Sequence, residues 1–241
     1  GSIPSFTGTN LGTTPQVATI VVTPTYTEAG VSCTGPSKTF TITVNPTAQV
    51  NQPTAQVICN GDTYSLNFSS LNTGGTTTYS WTNNNTAIGL NVATSTGSIP
   101  SFTAVNTGLA PTVATITVTP TYTNGGVSCV GLPKSFTITV NPTADVIQPT
   151  NQVVCNGVST AGITFSSLNN SGTTTYSWTN SNANIGLGLN GSGAVIPAFN
   201  AVNTGNIPIV ATITVTPSYT NAGVVCTGPS KTFTIDRKSV V

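Results

Sequence analysis

Apolar and polar residues alternate with a period of two along short stretches of this chain, and polar turn formers separate the stretches. Tyr64, Leu66 and Phe68 alternate with Ser65 and Asn67, and Tyr79 and Trp81 flank Ser80. Ala114, Ile116 and Val118 alternate with Thr115 and Thr117, as do Phe136, Ile138 and Val140 with Thr137 and Thr139. Successive side chains of a strand point to opposite faces, so each stretch reads as a strand with one face buried. Threonine suits the other face, because its branched side chain fits the pleat while its hydroxyl meets water. Asn60-Gly61, Thr73-Gly74-Gly75, Asn83-Asn84-Asn85 and Asn124-Gly125-Gly126 supply the turns. No window carries the i, i+3, i+4, i+7 apolar spacing of a helix over a useful length. The pattern predicts an all-β chain. Pro120 and Pro217 predict that their strand lies at a sheet edge or carries a bulge, since proline cannot donate to a ladder.

The pattern repeats. Ile3-Pro4-Ser5-Phe6 returns 96 residues later at Ile99-Pro100-Ser101-Phe102, and 97 residues after that at Ile196-Pro197-Ala198-Phe199. The same offsets relate Cys33, Cys129 and Cys226, and Lys38, Lys134 and Lys231. Other phrases occur only twice: Val57-Ile58-Cys59-Asn60-Gly61 matches Val153-Val154-Cys155-Asn156-Gly157, and TTTYSWTN runs from Thr76 and again from Thr173. The phrase NPTA follows a strand at Asn45 and at Asn141. Boundaries there divide the chain into the C-terminal half of a first repeat (1–46), two complete repeats (47–142 and 143–236) and a tail (237–241). The chain thus opens in mid-repeat, with the front half of its first repeat missing. Trp81 and Trp178 mark the cores of the complete repeats. A unit of this size, with about seven strands and a Trp in the third, predicts an immunoglobulin-like β-sandwich.

Composition narrows the functions. Charged residues make up 4% of the chain, against about 25% in a typical globular protein, so Thr, Ser and Asn carry its solubility. With 37% hydrophobic residues and a formal charge of +1, a packed core is expected, not disorder. Lys38, Lys134 and Lys231 stand alone and Arg237 and Lys238 share the tail, so no basic patch is available to a nucleic acid. No apolar run of about 18 residues spans a membrane, and no signal peptide is visible at Gly1.

Catalytic chemistry has little to draw on. Without histidine, neither a Ser-His-Asp triad nor a Cys-His pair can be built. The carboxylates Glu28, Asp62, Asp145 and Asp236 do not recur from repeat to repeat, so no calcium site is expected. The cysteines lack the close spacing of a zinc site. No catalytic, cofactor-binding or metal residue is assigned, and the chain is expected to be no enzyme and to hold no cofactor. The three lysines at the start of the last strand read as guards against edge pairing. Tyr26, Tyr122 and Tyr219 are expected to pack their rings and bond their hydroxyls to backbone, in preference to forming a platform for sugars.

Five cysteines are explained if the missing half repeat held a sixth. Pairing within repeats, Cys59 with Cys129 and Cys155 with Cys226, gives each unit its own staple and is favoured, with the partner of Cys33 outside the chain. Pairing across the NPTA junctions, Cys33 with Cys59 and Cys129 with Cys155, stays open, as do reduced cysteines.

The ordered motifs VxCNG, TTTYSWTNNNT, GxIPSFTAxNTG, ATITVTPTYT and CTGPxKTFTITVNPT resemble the PKD-like, immunoglobulin-like repeats of very large Bacteroidetes surface proteins. These include adhesins and gliding-associated proteins exported by the type IX pathway. Trp81-Thr82-Asn83-Asn84 stands where the typical PKD domain has W-x-F-G-D-G, so the resemblance is to the PKD-like group. It implies tandem β-sandwiches at the bacterial cell surface, serving as stalk, adhesin or filament. Expected partners are neighbouring repeats or copies of the chain, then surface glycans or another cell. A fibre whose neighbours supply strands to the incomplete first repeat is the alternative, because half a sandwich cannot bury its own apolar face.

Overall fold

A computed structural model describes residues 2–238; Gly1 of the opening phrase and residues 239–241 of the tail lie outside them. The half repeat holds β1 (Gln16–Val22), β2 (Thr25–Glu28), β3 (Val31–Thr34) and β4 (Lys38–Val44). The second repeat begins with β5 (Gln56–Cys59), β6 (Thr63–Leu66), β7 (Thr76–Asn83) and β8 (Thr94–Thr96). It continues with β9 (Ile99–Thr103), β10 (Thr112–Asn124), β11 (Val127–Val130) and β12 (Lys134–Asn141). The third repeat begins with β13 (Gln152–Val154), β14 (Ile163–Thr164), β15 (Thr173–Asn180) and β16 (Asn190–Ser192). Its later strands are β17 (Val195–Ile196), β18 (Ile209–Asn221), β19 (Val224–Thr227) and β20 (Lys231–Arg237). The chain is all-β, broken by two short 3-10 turns, Thr86–Ile88 and Ala183–Ile185.

Each complete repeat is a two-layer sandwich. One layer of the second repeat runs β5-β12-β10-β7-β8, with β11 pairing the far end of β10; β6 and β9 form the facing layer. The third repeat copies this as β13-β20-β18-β15-β16 with β19 on β18, faced by β14 and β17. All pairings are antiparallel except β12 with β5 and β20 with β13. The alternating residues of β10 and β12 (Ile116, Val118, Phe136, Ile138) meet Trp81 of β7 in one core, against which Leu66 and Phe102 of the facing layer pack. Phe165, Trp178, Ile213, Val215, Phe233 and Ile235 form its counterpart in the third repeat.

The prolines sit elsewhere than expected. β10 is the central strand of its sheet, and Pro120 lies within its pairing to β7, opposite Tyr79. On the other side the pairing with β12 stops at Lys134, opposite Val118, and the pairing with β11 starts at Val130, opposite Thr121. Pro120 occupies the gap between these partners, where a missing N–H breaks no ladder bond. Its carbonyl accepts from Gly131 N at 3.0 Å, and Pro217 accepts from Gly228 N at 3.1 Å in the same way.

Polar groups inside the loops are satisfied mainly by asparagine. Buried Asn106 donates through Nδ2 to Ala110 O at 2.8 Å and Val140 O at 2.7 Å, and its Oδ1 accepts from Gly108 N at 2.9 Å. Asn203 repeats the pattern with Ile207 O at 2.8 Å and Gly205 N at 2.8 Å, and Asn10 does so with Thr14 O, Val44 O and Gly12 N. Asn83 and Asn180, also buried, bond the loops that hold the 3-10 turns.

The half repeat lacks the strands that would cover it. Phe40 is 44% exposed, whereas its counterparts Phe136 and Phe233 are 5% and 2% exposed. Ile3-Pro4-Ser5-Phe6, the counterpart of the start of β9, forms no strand, for the partner equivalent to β6 is absent. The tyrosines follow suit. Tyr122 and Tyr219 are wholly buried and donate to Thr73 O at 3.0 Å and Asn170 O at 2.9 Å. Each ring lies so close to Gly75 or Gly172 that a Cβ there would overlap it. Burial pushes the Tyr219 phenol above its ordinary pKa. Tyr26, with no such loop above it, is 66% exposed and donates to Glu28 Oε2 at 2.8 Å. Tyr219→Phe is therefore expected to lower stability by about 1 kcal/mol, the worth of a buried hydrogen bond, while Tyr26→Phe leaves it unchanged; urea unfolding of the two variants makes the comparison.

Candidate functional site at the repeat junction

The chemistry-bearing side chains of the chain are its cysteines, and the strand register decides where they lie. Cys59 ends β5 beside Asn141, the last residue of β12. Cys129 lies opposite Tyr122 in the hairpin of β10 and β11, beyond the Lys134 end of β12. The two thus sit at opposite ends of the sandwich, separated by at least the length of β12, about 23 Å at the usual rise per strand residue. A disulfide needs Cα atoms within about 7 Å. Pairing within repeats is therefore not formed, and neither is the alternative of Cys33 with Cys59 and Cys129 with Cys155. The structure instead joins Cys59 of the second repeat to Cys226 of the third, with Cα atoms 5.5 Å apart and 167 residues between them in sequence. Cys33 and Cys155 are exposed free thiols, and Cys129 is a half-buried one.

The bond staples a polar junction. Asn141, fully buried, faces Asn221 of the β18–β19 hairpin: Asn221 Nδ2 donates to Asn141 Oδ1 at 2.9 Å, and Asn141 Nδ2 to Asn221 O at 3.5 Å. Asn60 Nδ2 donates to Thr143 Oγ1 at 2.9 Å, and Asn170 N to Leu109 O at 2.9 Å. The junction between the half repeat and the second repeat is built alike. Asn124 Nδ2 donates to Asn45 Oδ1 at 2.9 Å, Asn45 Nδ2 to Asn124 O at 3.0 Å, and Thr73 N to Thr13 O at 3.0 Å. There Cys129 holds the place of Cys226, and the half repeat carries no counterpart of Cys59. In both complete repeats the linker crosses the base of the hairpin so closely that a Cβ on Gly131 or Gly228 would strike the Ala48 or Ala144 carbonyl.

The far end of the third repeat departs from this pattern. Arg237 takes the position of Val140 and is fully buried; its Nη2 donates to Asn156 Oδ1, while Nε and Nη1 have no acceptor among the described residues. Lys238 takes the position of Asn141 and forms an ion pair with Asp236 at 2.7 Å. Among the described residues no group of three His, Cys, Asp or Glu side chains comes together, and no helix is long and apolar enough to cross a membrane. A hollow of about 770 Å³ is an open groove beside the second 3-10 turn, lined by Asn182, Asn184, Asn203, Thr204 and Ile207 among others. Lys38 and Lys134 are exposed and Lys231 is half-buried at the starts of β4, β12 and β20.

Two sandwiches of one strand order, each with a buried Trp on its third strand, joined end to end through a repeated contact, make a tandem immunoglobulin-like repeat protein. More narrowly, residues 56–144 match the family model of the PKD-like domain. No curated protein matches the chain at a significant level. Among solved structures, the I9-I11 tandem from titin is similar at 12% identity and a TM-score of 0.28, over 92% of this chain and 94% of that one. The N-terminal Ig1-2 module of the Drosophila receptor protein tyrosine phosphatase DLAR is similar at 11% identity and a TM-score of 0.28, over 81% and 100% of the two chains.

Trypsin offers a direct check of the cysteine pairing, since its site at Lys134 separates Cys59 from Cys226 and its site at Lys38 sets Cys33 apart. Without reduction, peptide 39–134 is expected to stay linked to 135–231, with three thiols open to alkylation. Pairing within repeats would leave those peptides separate. Loss of the link by Cys59→Ser with Cys226→Ser is expected to cost up to about 5 kcal/mol, the chain-entropy value for so long a loop.

Proposed function

We propose that this chain is a structural segment of an extracellular stalk, holding something at a set distance from the surface of a bacterial cell. Tandem immunoglobulin-like and PKD-like domains are modules of structural or adhesion type, and the extracellular setting is supported by a long-range disulfide, which persists in oxidising surroundings. The observation that carries the reading is the junction. Its asparagine pair recurs between successive units, and one copy is closed covalently, which restrains the angle between neighbours. A spacer needs such restraint and needs no reactive group.

Pulling single molecules by their ends tests the reading. In the oxidised chain the force passes from Cys59 directly to Cys226, so the 167 residues between them add nothing to the length. Full extension is expected to fall short of that of the reduced chain by about 600 Å, at roughly 3.5 Å per residue. Equal extension of oxidised and reduced chains would remove the ground for a load-bearing spacer.

A further inference from the structure

Four asparagines precede glycine: Asn60, Asn124, Asn156 and Asn190. Such a pair can react with itself, because a glycine nitrogen, with no side chain beside it and a mobile backbone, reaches the carboxamide carbon of the asparagine. The fold restrains three of the four. Gly61 N donates to Ala104 O at 2.8 Å and Gly157 N to Ala201 O at 2.9 Å, and Gly191 lies in the ladder of β15 and β16 opposite Trp178. Asn124 differs. It closes β10 opposite Val127, and Gly125 and Gly126, with φ of 58° and 76°, form the two-residue turn between them. Both glycines are exposed, and among the described residues Gly125 N has no acceptor. At the junction of the two complete repeats the matching turn residues, Ala222 and Gly223, are exposed as well, so this turn meets water even in a joint with a whole unit on each side.

We infer that Asn124 is a site of spontaneous deamidation, which alters the joint between the half repeat and the second repeat. The Gly125 nitrogen gives its proton to hydroxide and bonds to Asn124 Cγ; the carboxamide nitrogen takes a proton from water and leaves as ammonia, closing a succinimide ring. Water then opens the ring at either carbonyl, giving aspartate, or isoaspartate with the main chain routed through Cβ. One water is consumed and one ammonia released, with no change of oxidation state. Of the asparagines that pair across the two junctions, this one alone is so placed. Asn45 and Asn141 precede proline, whose nitrogen has no proton to give, and Asn221 precedes alanine, whose Cβ hinders the attack. Either product removes the Nδ2 that donates to Asn45 Oδ1, and aspartate sets a carboxylate against that oxygen. Isoaspartate also lengthens the backbone of a turn of only two residues. In the unmodified chain the bond to Asn45 has to open before Cγ meets Gly125 N, so the rate of the reaction reports how often the joint opens. The inference goes beyond the spacer reading and stands without it, because the chemistry needs only this turn and water.

The test incubates the full oxidised chain in mildly alkaline buffer and follows the conversion of amide to acid at each asparagine by peptide mass mapping and fragmentation, which also separates isoaspartate from aspartate. In the folded chain Asn124 is expected to convert well before Asn60, Asn156 and Asn190. In urea all four should convert at similar rates, which separates the reactivity of the sequence from that of the fold. Asn45→Ala removes the acceptor of the Asn124 amide and should speed conversion at Asn124 about fivefold, the effect of losing one ordinary hydrogen bond. It should leave Asn60 as slow as before, which a variant that merely unfolded would not do, and should change nothing in urea. Equal rates at Asn124 and Asn60 in the folded chain, or a rate at Asn124 indifferent to Asn45→Ala, would overturn the proposal. The extension measurement concerns the disulfide of the other junction, so it fails or succeeds separately.

Discussion

The thirteen-residue central strand is the constraint on which the rest depends. Its first half alternates Ala114, Ile116 and Val118 into the core and pairs with both β12 and β7. Its second half outruns β12 and turns back as a hairpin with β11. One continuous ribbon thus ties the interior of a sandwich to the tip that meets the preceding unit. A shorter strand would serve the core equally well and leave the junction without Asn124, Asn221 and Cys226. The proline at the changeover is tolerated because the strand exchanges partners there.

Scarcity of charge governs how the parts are held. Deep burial of an ionised group is costly, whereas an amide can donate and accept at once and carries no net charge. Asn106, Asn203, Asn83 and Asn180 each use that capacity to bond loop backbone that would otherwise be left without partners, and the Asn141–Asn221 contact brings the same chemistry to the space between units. Arg237 shows the contrast. Placed where the repeat has Val140, it carries two donors that find no acceptor among the described residues.

Much of the fold was legible in the sequence because it rests on period-two alternation and on a repeat of 96 to 97 residues. The buried Trp81 and Trp178 and the backbone-bonded Tyr122 and Tyr219 follow from residue type and place. Two features were not legible, for a common reason. The cysteine partners depend on the parallel pairing of β5 with β12, which puts Cys59 at the far end of the sandwich, and no local pattern announces a pairing about 80 residues distant. The role of Pro120 likewise depends on where two other strands stop. The opening Ile3-Pro4-Ser5-Phe6 teaches the converse: its sequence is that of a strand, but a strand needs its neighbour.

The offset of the disulfide, from the first cysteine of one unit to the second cysteine of the next, bears on how a gene for such a protein can change. Were bonds confined to neighbours in some pairs and not others, gain or loss of one unit by recombination would leave orphaned thiols in mid-array. Where a unit carries both the junction asparagine and the two cysteines, as the second repeat does, its removal or duplication creates a new neighbour that presents the same groups. Copy number is then free to drift, and the length of the protein with it, while each joint stays chemically complete.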